Sequence, residues 1–222
     1  MKKFTLADLT TTVIWLLPIV YLGYIYGGLP ATVPLHYGID GKADSYGSKT
    51  TFLAIILGMQ VLSVLLYLLL KFLPAIDPKK QVKFGEATFQ KLALGLVIFL
   101  AALNIVIQYA TVNHGVRIDK LILPVIGLLF AFIGNVMYNI KPNYFAGIKT
   151  PWALENEDNW KATHHMAGKL WFVGGILLTI VTFILPAVIS TFVFVGASLA
   201  LAFIPYFYSY RYFKKHQLDQ NS

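Results

Sequence analysis

The chain has 222 residues, of which 57% are hydrophobic and only 13% are charged, and it contains no cysteine. Soluble domains carry about 25% charged residues, so the composition excludes a soluble globular protein, and the cysteine count excludes disulfides, thiolate metal ligands and thiol nucleophiles. The net charge of +8 is typical of basic membrane loops. Direct nucleic-acid binding is not expected, because the sequence has no basic soluble domain with interleaved aromatic residues.

Six apolar segments are long enough to cross a membrane as helices, which takes roughly 20 residues each. They cover residues 9–28, 51–73, 92–112, 119–138, 170–187 and 189–208. The charged start and the first apolar run look like a signal peptide without a small-residue cleavage site, so we expect an uncleaved first span. The predicted fold class is an all-α integral membrane protein with six transmembrane helices. We expect a two-helix unit at 1–73 and a four-helix unit at 74–222.

Basic residues are distributed unevenly between the two sides of this predicted bundle. One side would hold Lys42, Lys49, Arg117 and Lys120, and the other side would hold the remaining 14 of the 18 basic residues. Cytoplasmic loops are enriched in Lys and Arg. The distribution therefore predicts a multi-pass protein of the plasma membrane with both termini in the cytoplasm.

The first polar segment, residues 29–49, reads LPATVPLHYGIDGKADSYGSK and is predicted to lie outside the cell. Its prolines favour extended backbone. Turns are expected at Gly38, Gly41 and Gly47. We therefore expect an ordered loop. His36, Asp40 and Asp44 either bind a divalent cation or hydrogen-bond the backbone of their own loop, and the second alternative is favoured because their spacing matches no recurrent metal motif. No metal or cofactor is predicted.

A few polar residues interrupt the predicted spans. Asn104 and Gln108 are four residues apart, so they share one helical face and should point into the bundle. Gln60 and Asn135 are further candidates for the bundle interior. Hydrogen bonds between membrane helices contribute roughly 0.6–2 kcal/mol each. A transporter is disfavoured, because conduction pathways place ionisable groups at mid-membrane depth and the lysines of these spans lie near the span ends.

The second polar segment, residues 139–169, reads NIKPNYFAGIKTPWALENEDNWKATHHMAGK and is predicted to face the cytoplasm. Thr150 followed by Pro151 is typical of a helix start, with Thr150 as the N-cap and Pro151 as the first helical residue. Asn156 is predicted to cap a second short helix that runs into the fifth span. We expect both short helices to lie at the membrane interface.

The second short helix carries Trp160, Thr163, Ala167 and Leu170 at three- and four-residue spacing. This pattern is typical of an amphipathic helix at the membrane surface, with Trp at the interface. It also fits a docking platform for a cytoplasmic partner, and both interpretations can hold together.

Catalysis is not favoured by the second polar segment. The nearest acid–base pair that the sequence offers is Glu155 or Glu157 with His164. The metalloprotease, nucleophile-elbow and phosphate-loop patterns are absent. We therefore do not expect an enzyme, and catalytic residues are not assigned.

Residues 134–171 resemble the signature of the SdpI family, the immunity proteins against the sporulation-delaying-protein toxin and their relatives. The matching positions are Gly134-Asn135, residues 141–154, Asn156-Glu157, Trp160, Thr163-His164 and Gly168-Lys169-Leu170. The first polar segment is similar to the Leu-Pro-x-x-Val-Pro-x-His motif often found at the front of this family. Three positions depart from the pattern, with Lys149 in place of Arg, Ala153 in place of Thr and Asn139 in place of Lys.

The resemblance implies a bacterial membrane protein that gives immunity to, or senses, a secreted membrane-active peptide toxin and binds a cytoplasmic repressor. The expected partners are membrane lipid, the toxin and the repressor. The alternative is a membrane-embedded enzyme or a transporter of small lipid-like or peptide molecules. The candidate toxin-binding residues are Pro34, His36, Asp40, Gly41, Asp44 and Lys49. The candidate residues of the cytoplasmic signature are Asn135, Lys141, Pro142, Asn143, Tyr144, Gly147, Lys149, Thr150, Pro151, Trp152, Asn156, Glu157, Trp160, His164, Gly168 and Lys169.

Overall fold

The computed structural model describes residues 5–77, 85–113 and 115–220, the last four of these as backbone only. The elements in chain order are α1 (Leu6–Tyr26), β1 (Thr32–Tyr37), β2 (Ala43–Ser48), α2 (Lys49–Ile76), α3 (Glu86–Val112), α4 (Asp119–Met137), α5 (Pro151–Glu155), α6 (Glu157–Ile184) and α7 (Ala187–Gln220). Within these ranges six helices, all except α5, are long and apolar enough to span a membrane. The predicted all-α membrane fold with six spans is confirmed.

The helices form two layers that meet along α3 and α4. In the N-terminal half, α1 and α2 both pack against α3, and in the C-terminal half α6 packs between α4 and α7. The first polar segment connects α1 to α2 at the end of the bundle where α7 begins, since the hydroxyl of Thr191 donates to the carbonyl of Ile39 at 3.3 Å. We call this the hairpin end. The second polar segment lies at the opposite end.

The two central helices of the C-terminal half, α4 and α6, cross with their backbones in contact. A Cβ atom on Gly134 would lie 2.3 Å from the backbone nitrogen of Phe172, and one on Gly175 would lie 2.3 Å from that of Ala131. Gly168 is also confined, though less tightly, since its Cβ would lie 2.9 Å from the carbonyl oxygen of Gly134. Small residues permit this approach, and the resulting van der Waals contact stabilises helix pairs in lipid.

The structure departs from the predicted spans at α6, which begins at Glu157 and not near residue 170. The second short helix runs into the fifth span, as predicted, but as the first part of α6 it buries one face in the bundle and does not lie at the interface. Asn159, Thr163 and His164 lie in this extension and are buried. A helix can carry polar residues into the bundle when their hydrogen bonds are made internally, as described below.

The first polar segment is ordered, as predicted, but it folds into a two-stranded antiparallel hairpin that the sequence analysis did not anticipate. Gly41 forms the turn with φ +75°. The predicted turn at Gly47 is wrong, because Gly47 lies inside β2 opposite Val33. A Cβ atom on Gly47 would lie 2.3 Å from a methyl carbon of Leu35, so the Leu35 side chain packs directly over this glycine.

Polar residues of the spans fall into two groups. The predictions for Asn104, Gln108 and Gln60 are confirmed, since all three are buried in the N-terminal half. The prediction for Asn135 is wrong, because its side chain is exposed in a groove between α3 and α4. Successive helical residues point about 100° apart, so the contact of Gly134 with α6 turns Asn135 away from that interface.

The buried amides of the N-terminal half are incompletely hydrogen-bonded to protein. In the described part of the chain, the atoms without a protein partner include Gln60 Nε2, Ser63 Oγ, both amide atoms of Asn104 and Gln108 Oε1. An unsatisfied buried polar group costs about 1–3 kcal/mol. Five such atoms would cost as much as the whole stability of a typical protein, about 5–15 kcal/mol. These atoms therefore need a polar neighbour.

Candidate functional site

The second polar segment begins with a loop that Asn143 organises. The Asn143 side chain is buried, and its oxygen accepts from the backbone N–H groups of Phe145 and Ala146 at 2.8 Å each. Its amide nitrogen donates to the carbonyls of Lys141 at 2.7 Å and Ala146 at 3.2 Å. Asn side chains form such turns because they reproduce backbone hydrogen bonding. The loop shape thus follows from one residue of the predicted signature.

His164 fixes the end of this loop against α6. Its Nε2 accepts from the backbone N–H of Ile148 at 3.0 Å, and its Nδ1 faces the carbonyl of Trp160 at 2.8 Å. Because Nε2 accepts and Nδ1 donates, the ring is the neutral tautomer protonated at Nδ1. Gly147 passes directly over this ring with φ +115°, and a Cβ atom there would lie 2.4 Å from Nε2.

Trp160 is the largest fully buried side chain at this end of the bundle. It is 1% exposed, its ring stacks on that of His164 with centroids 4.0 Å apart, and its indole N–H donates to the carbonyl of Ile140 at 2.8 Å. The predicted position of Trp160 at the membrane interface is therefore wrong. Its helical face, with Thr163 and Ala167, covers the loop and α4 and not lipid headgroups.

Thr150, Trp152, Asn159 and Ser209 form a second set of contacts, which we call the Ser209 cluster. The Ser209 hydroxyl donates to Asn159 Oδ1 at 2.9 Å and accepts from Trp152 Nε1 at 2.8 Å. The Thr150 hydroxyl lies 2.9 Å from Ser209 Oγ, and the Asn159 amide donates to the Ser209 carbonyl at 3.1 Å. The cluster ties the second polar segment to α7.

Both predicted helix caps are confirmed. Thr150 accepts from the N–H of Ala153 at the start of α5, with Pro151 as the first helical residue. Asn156 accepts from the N–H of Asn159 at 2.8 Å at the start of α6. The two caps fix where α5 and α6 begin. Trp152, on α5, packs against the aromatic rings of Tyr206 and Tyr210 on α7.

The pairing of His164 with an acid is not formed. Both ring nitrogens of His164 face backbone groups, whereas Glu157 is exposed and lies 3.1 Å from the amine of Lys161. Glu155 is also exposed, beside α7. His164 is thus a structural residue in this arrangement.

Several residues of the signature remain on the surface. Tyr144 and Phe145 are 47% and 43% exposed, and the Lys149 amine donates to the carbonyl of Tyr144 at 3.2 Å. The other exposed members are Lys141, Pro151, Asn156, Glu157 and Lys169. Pro142 is half-buried, and Gly168 lies in the α4–α6 contact. The exposed part of the signature is therefore a cationic and aromatic surface over a tightly hydrogen-bonded interior.

The hairpin presents its candidate polar residues to the outside of the bundle. His36 Nδ1 lies 2.6 Å from Asp44 Oδ1, with side chains 70% and 51% exposed. Asp40 accepts from the backbone N–H of Lys42 at 3.1 Å. Asp40 thus bonds the backbone of its own loop, as the favoured alternative has it, whereas His36 and Asp44 bond each other and not the backbone. Pro34 pairs with Tyr46 across the strands, and the Lys49 amine lies 5.2 Å from the centre of the Tyr26 ring.

Further contacts, at Val33 and Gly41, hold the hairpin on the bundle. Val33 is fully buried against Phe52 and Ile56 of α2. Gly41 lies against Asp119, where a Cβ atom would clash with the carboxylate that Arg117 binds through two nitrogens at 2.8 and 3.2 Å. Burial raises the pKa of Tyr37 above its ordinary value. The hairpin is thus a fixed surface.

Asn159 and Ser209 were not predicted as site residues from the sequence, although both are fully buried and central to the Ser209 cluster. Asn159 carries a weak signal, because it lies four residues before Thr163 and therefore on the same buried face. Ser209 carries a different sequence signal, because it is a small polar residue within the aromatic run FYSYRYF. The partnership between them spans 50 residues of sequence and is visible only in the fold.

Both polar segments lie in regions of the chain that match known protein families. The model of the SdpI/YfhL protein family matches residues 139–209. The resemblance to the SdpI family is confirmed. A domain of unknown function (DUF1648) matches residues 13–61, from α1 through the hairpin into α2. Over 191 residues the chain is 26% identical to "Immunity protein SdpI" of Bacillus subtilis (strain 168), covering 86% of this chain and 88% of that protein.

The SdpI/YfhL match ends at Ser209 and so includes every member of the Ser209 cluster. The similarity to the immunity protein extends over both halves of the bundle. Together they support a membrane immunity-type role for this chain. No solved structure matches it.

Proposed function

We propose that this protein is a bacterial plasma-membrane immunity protein that gives resistance to a secreted membrane-active peptide toxin. The observation that carries the proposal is the similarity to the immunity protein over most of both chains. The architecture is compatible with it, because a bundle of six spanning helices places two ordered surfaces at opposite ends.

The proposed orientation puts the hairpin outside the cell and both termini in the cytoplasm. Its support is the distribution of basic residues, since among the residues that the structure describes only Lys42, Lys49, Arg117 and Lys120 belong to the hairpin end. Cytoplasmic loops of membrane proteins are enriched in Lys and Arg. In this orientation the hairpin is the first ordered surface that a secreted peptide meets.

The hairpin is the proposed receiver of the toxin. His36 and Asp44 form an exposed pair, and Ile39 and Tyr46 are 61% and 60% exposed beside them. A surface that combines large apolar side chains with a few oriented polar groups suits an amphipathic peptide. Because the hairpin is fixed to the bundle through Val33 and Gly41, little conformational entropy is lost when a ligand binds it.

Expression in toxin-sensitive bacteria tests this function. We expect cells that produce the chain to survive the sporulation-delaying-protein toxin at concentrations that kill control cells. For the double variant His36→Ala/Asp44→Ala, the highest toxin concentration that the cells survive should fall by about tenfold, since a lost hydrogen bond to a charged group costs about 1.5 kcal/mol. Its abundance in the membrane should not change, because exposed ion pairs contribute little to stability.

The matched control is His216→Ala, which removes an exposed histidine at the opposite end of the bundle. This variant should protect as well as the original chain. Unchanged killing of cells that produce the original chain would contradict resistance to this toxin. Full protection by the double variant would contradict toxin binding by the hairpin and would leave the immunity function standing.

The second polar segment is the proposed contact for a cytoplasmic regulator. Its support is the exposed surface of Tyr144, Phe145 and Lys149 above a rigid interior. Exposed aromatic residues such as Tyr and Phe are enriched in protein interfaces. A Tyr144→Ala/Phe145→Ala variant should keep toxin protection and lose co-purification of a soluble repressor, whereas Leu65→Ala, on an exposed face of α2, should affect neither.

A further inference from the structure

The interior of the N-terminal half contains polar side chains at successive levels. The Gln108 amide donates to the carbonyl of Pro18 at 3.1 Å, and the indole of Trp15 donates to the carbonyl of Gln60 at 3.0 Å. Since α1 and α3 run in the same direction, Asn104 lies one turn from Gln108 at the level of Trp15. Asn104 and Gln60 thus belong to one buried layer that α1, α2 and α3 share.

From the layer of Gln60 and Asn104, a line of polar side chains continues along α2 away from the hairpin end. Ser63, Tyr67 and Lys71 follow Gln60 at spacings of three and four residues, so they occupy one face of the helix. At the far end Asp8 accepts from the Tyr67 hydroxyl and from the Lys71 amine. Charge is therefore confined to the end of the line, where Asp8 and Lys71 compensate each other, and the deeper groups are neutral.

Two adjoining cavities lead into this line from the end opposite the hairpin. The larger, about 560 Å³, is lined by Asp8, Thr11, Tyr67 and Lys71 among others. The smaller, about 260 Å³, is also lined by Thr11 and Tyr67 and extends to Trp15. Because the two share Thr11 and Tyr67, they form one entry that runs from the bundle end as far as Trp15, whose indole binds the carbonyl of Gln60.

We propose that α1, α2 and α3 enclose a file of bound water that enters past Asp8 and Lys71 and reaches Asn104 and Gln108. Water fits because the unpartnered atoms are both donors and acceptors, namely Gln60 Nε2 and Asn104 Nδ2 as donors and Gln108 Oε1 as an acceptor. Buried water typically makes about three hydrogen bonds to such groups. A neutral, fully buried layer does not suit an ion, which needs charged or many oxygen partners.

The chain contains no cysteine, so a single introduced thiol reports on its own surroundings. Ser63→Cys changes one atom of an unpartnered buried hydroxyl in the file, and Leu201→Cys places a thiol at a buried apolar position of α7 outside it. Thiols react as thiolates, which water favours and apolar surroundings suppress. We expect silver ions to block Ser63→Cys at least about tenfold faster than Leu201→Cys.

A second pair lies on α2 alone. Gln60→Cys is in the file, whereas Ile56→Cys, one turn away, sits in the apolar cluster of Leu22, Val33 and Phe52. To measure the rate of blocking, the reaction is stopped at intervals, the protein is denatured, and the remaining free thiol is labelled with a maleimide dye. If Ser63→Cys does not fold, this second pair decides. Equal rates within a folded pair overturn the proposal.

The direction of entry is tested in sealed vesicles that hold the protein in one orientation. Silver ions on the side of Asp8 and Lys71 should block Gln60→Cys promptly, and silver ions on the hairpin side should block it at the slower rate of Ile56→Cys. Faster blocking from the hairpin side would overturn the proposed entry. The experiment does not depend on toxin resistance, so either proposal can fail without the other.

Discussion

His164 illustrates how the residue scale decides between chemistry and structure. A histidine near acidic residues is a reasonable candidate for acid–base work, yet here both nitrogens face backbone groups of Ile148 and Trp160. Burial then favours the neutral ring, because transfer of a charge into the protein interior is costly. The side chain acts as a bridge between a loop and a helix.

Replacing His164 with Phe tests this role. The ring shape is nearly kept, but the backbone N–H of Ile148 loses its acceptor, which should cost about 1–3 kcal/mol of unfolding free energy. Thermal unfolding in detergent measures the loss. His165→Phe is the control, since His165 stacks on Tyr138 and a ring of similar size preserves that contact. Equal melting temperatures for the two variants would contradict the bridge.

Residue-level prediction succeeded where the partners are close in sequence. Thr150, Pro151 and Asn156 were identified correctly because a helix cap involves residues three positions apart. Trp160 was misplaced because its partner, the carbonyl of Ile140, is 20 residues away and belongs to a loop whose path the sequence does not specify. Trp at a membrane edge looks the same in sequence whether it faces headgroups or a folded loop.

At the scale of elements, the contact of α4 with α6 holds the C-terminal half together. Gly134→Ala would place a methyl group 2.3 Å from the backbone nitrogen of Phe172, so the helices must separate. Overpacking of this kind costs about 1–3 kcal/mol, and the melting temperature should fall.

Gly196→Ala is the matched change on α7, where the added methyl meets nothing within 4 Å. It should leave the melting temperature unchanged or raise it, since Ala favours helix over Gly by up to about 1 kcal/mol. A melting temperature for Gly134→Ala equal to that of Gly196→Ala would contradict the close crossing.

The helices were predictable because lipid leaves few alternatives to an apolar segment except a helix. The hairpin was not, since an isolated two-stranded hairpin is at best marginally stable and its strands alternate only weakly between apolar and polar residues. Its stability comes from Val33 inserted beside Phe52 and from Gly41 against Asp119. Both are contacts with other elements.

At the scale of the whole molecule, an exposed lysine at each end of the bundle can report the orientation in the membrane. Lys42 lies at the hairpin end and Lys141 at the opposite end. In the cysteine-free chain, Lys42→Cys should react with a membrane-impermeant maleimide on intact cells, and Lys141→Cys should react only after permeabilisation, because basic loops face the cytoplasm. Labelling of Lys141→Cys on intact cells would reverse the proposed orientation.

The Ser209 cluster also has a consequence for the order of events during synthesis. Residues 139–169 leave the ribosome well before Ser209, whose hydroxyl and carbonyl bind Trp152 and Asn159. Chains are made at about 5–20 residues per second, so for several seconds the segment exists with those donors and acceptors unmatched. Closure of the segment must wait for the last helix to insert, and a chain that stops before Ser209 would be released with this surface unfinished.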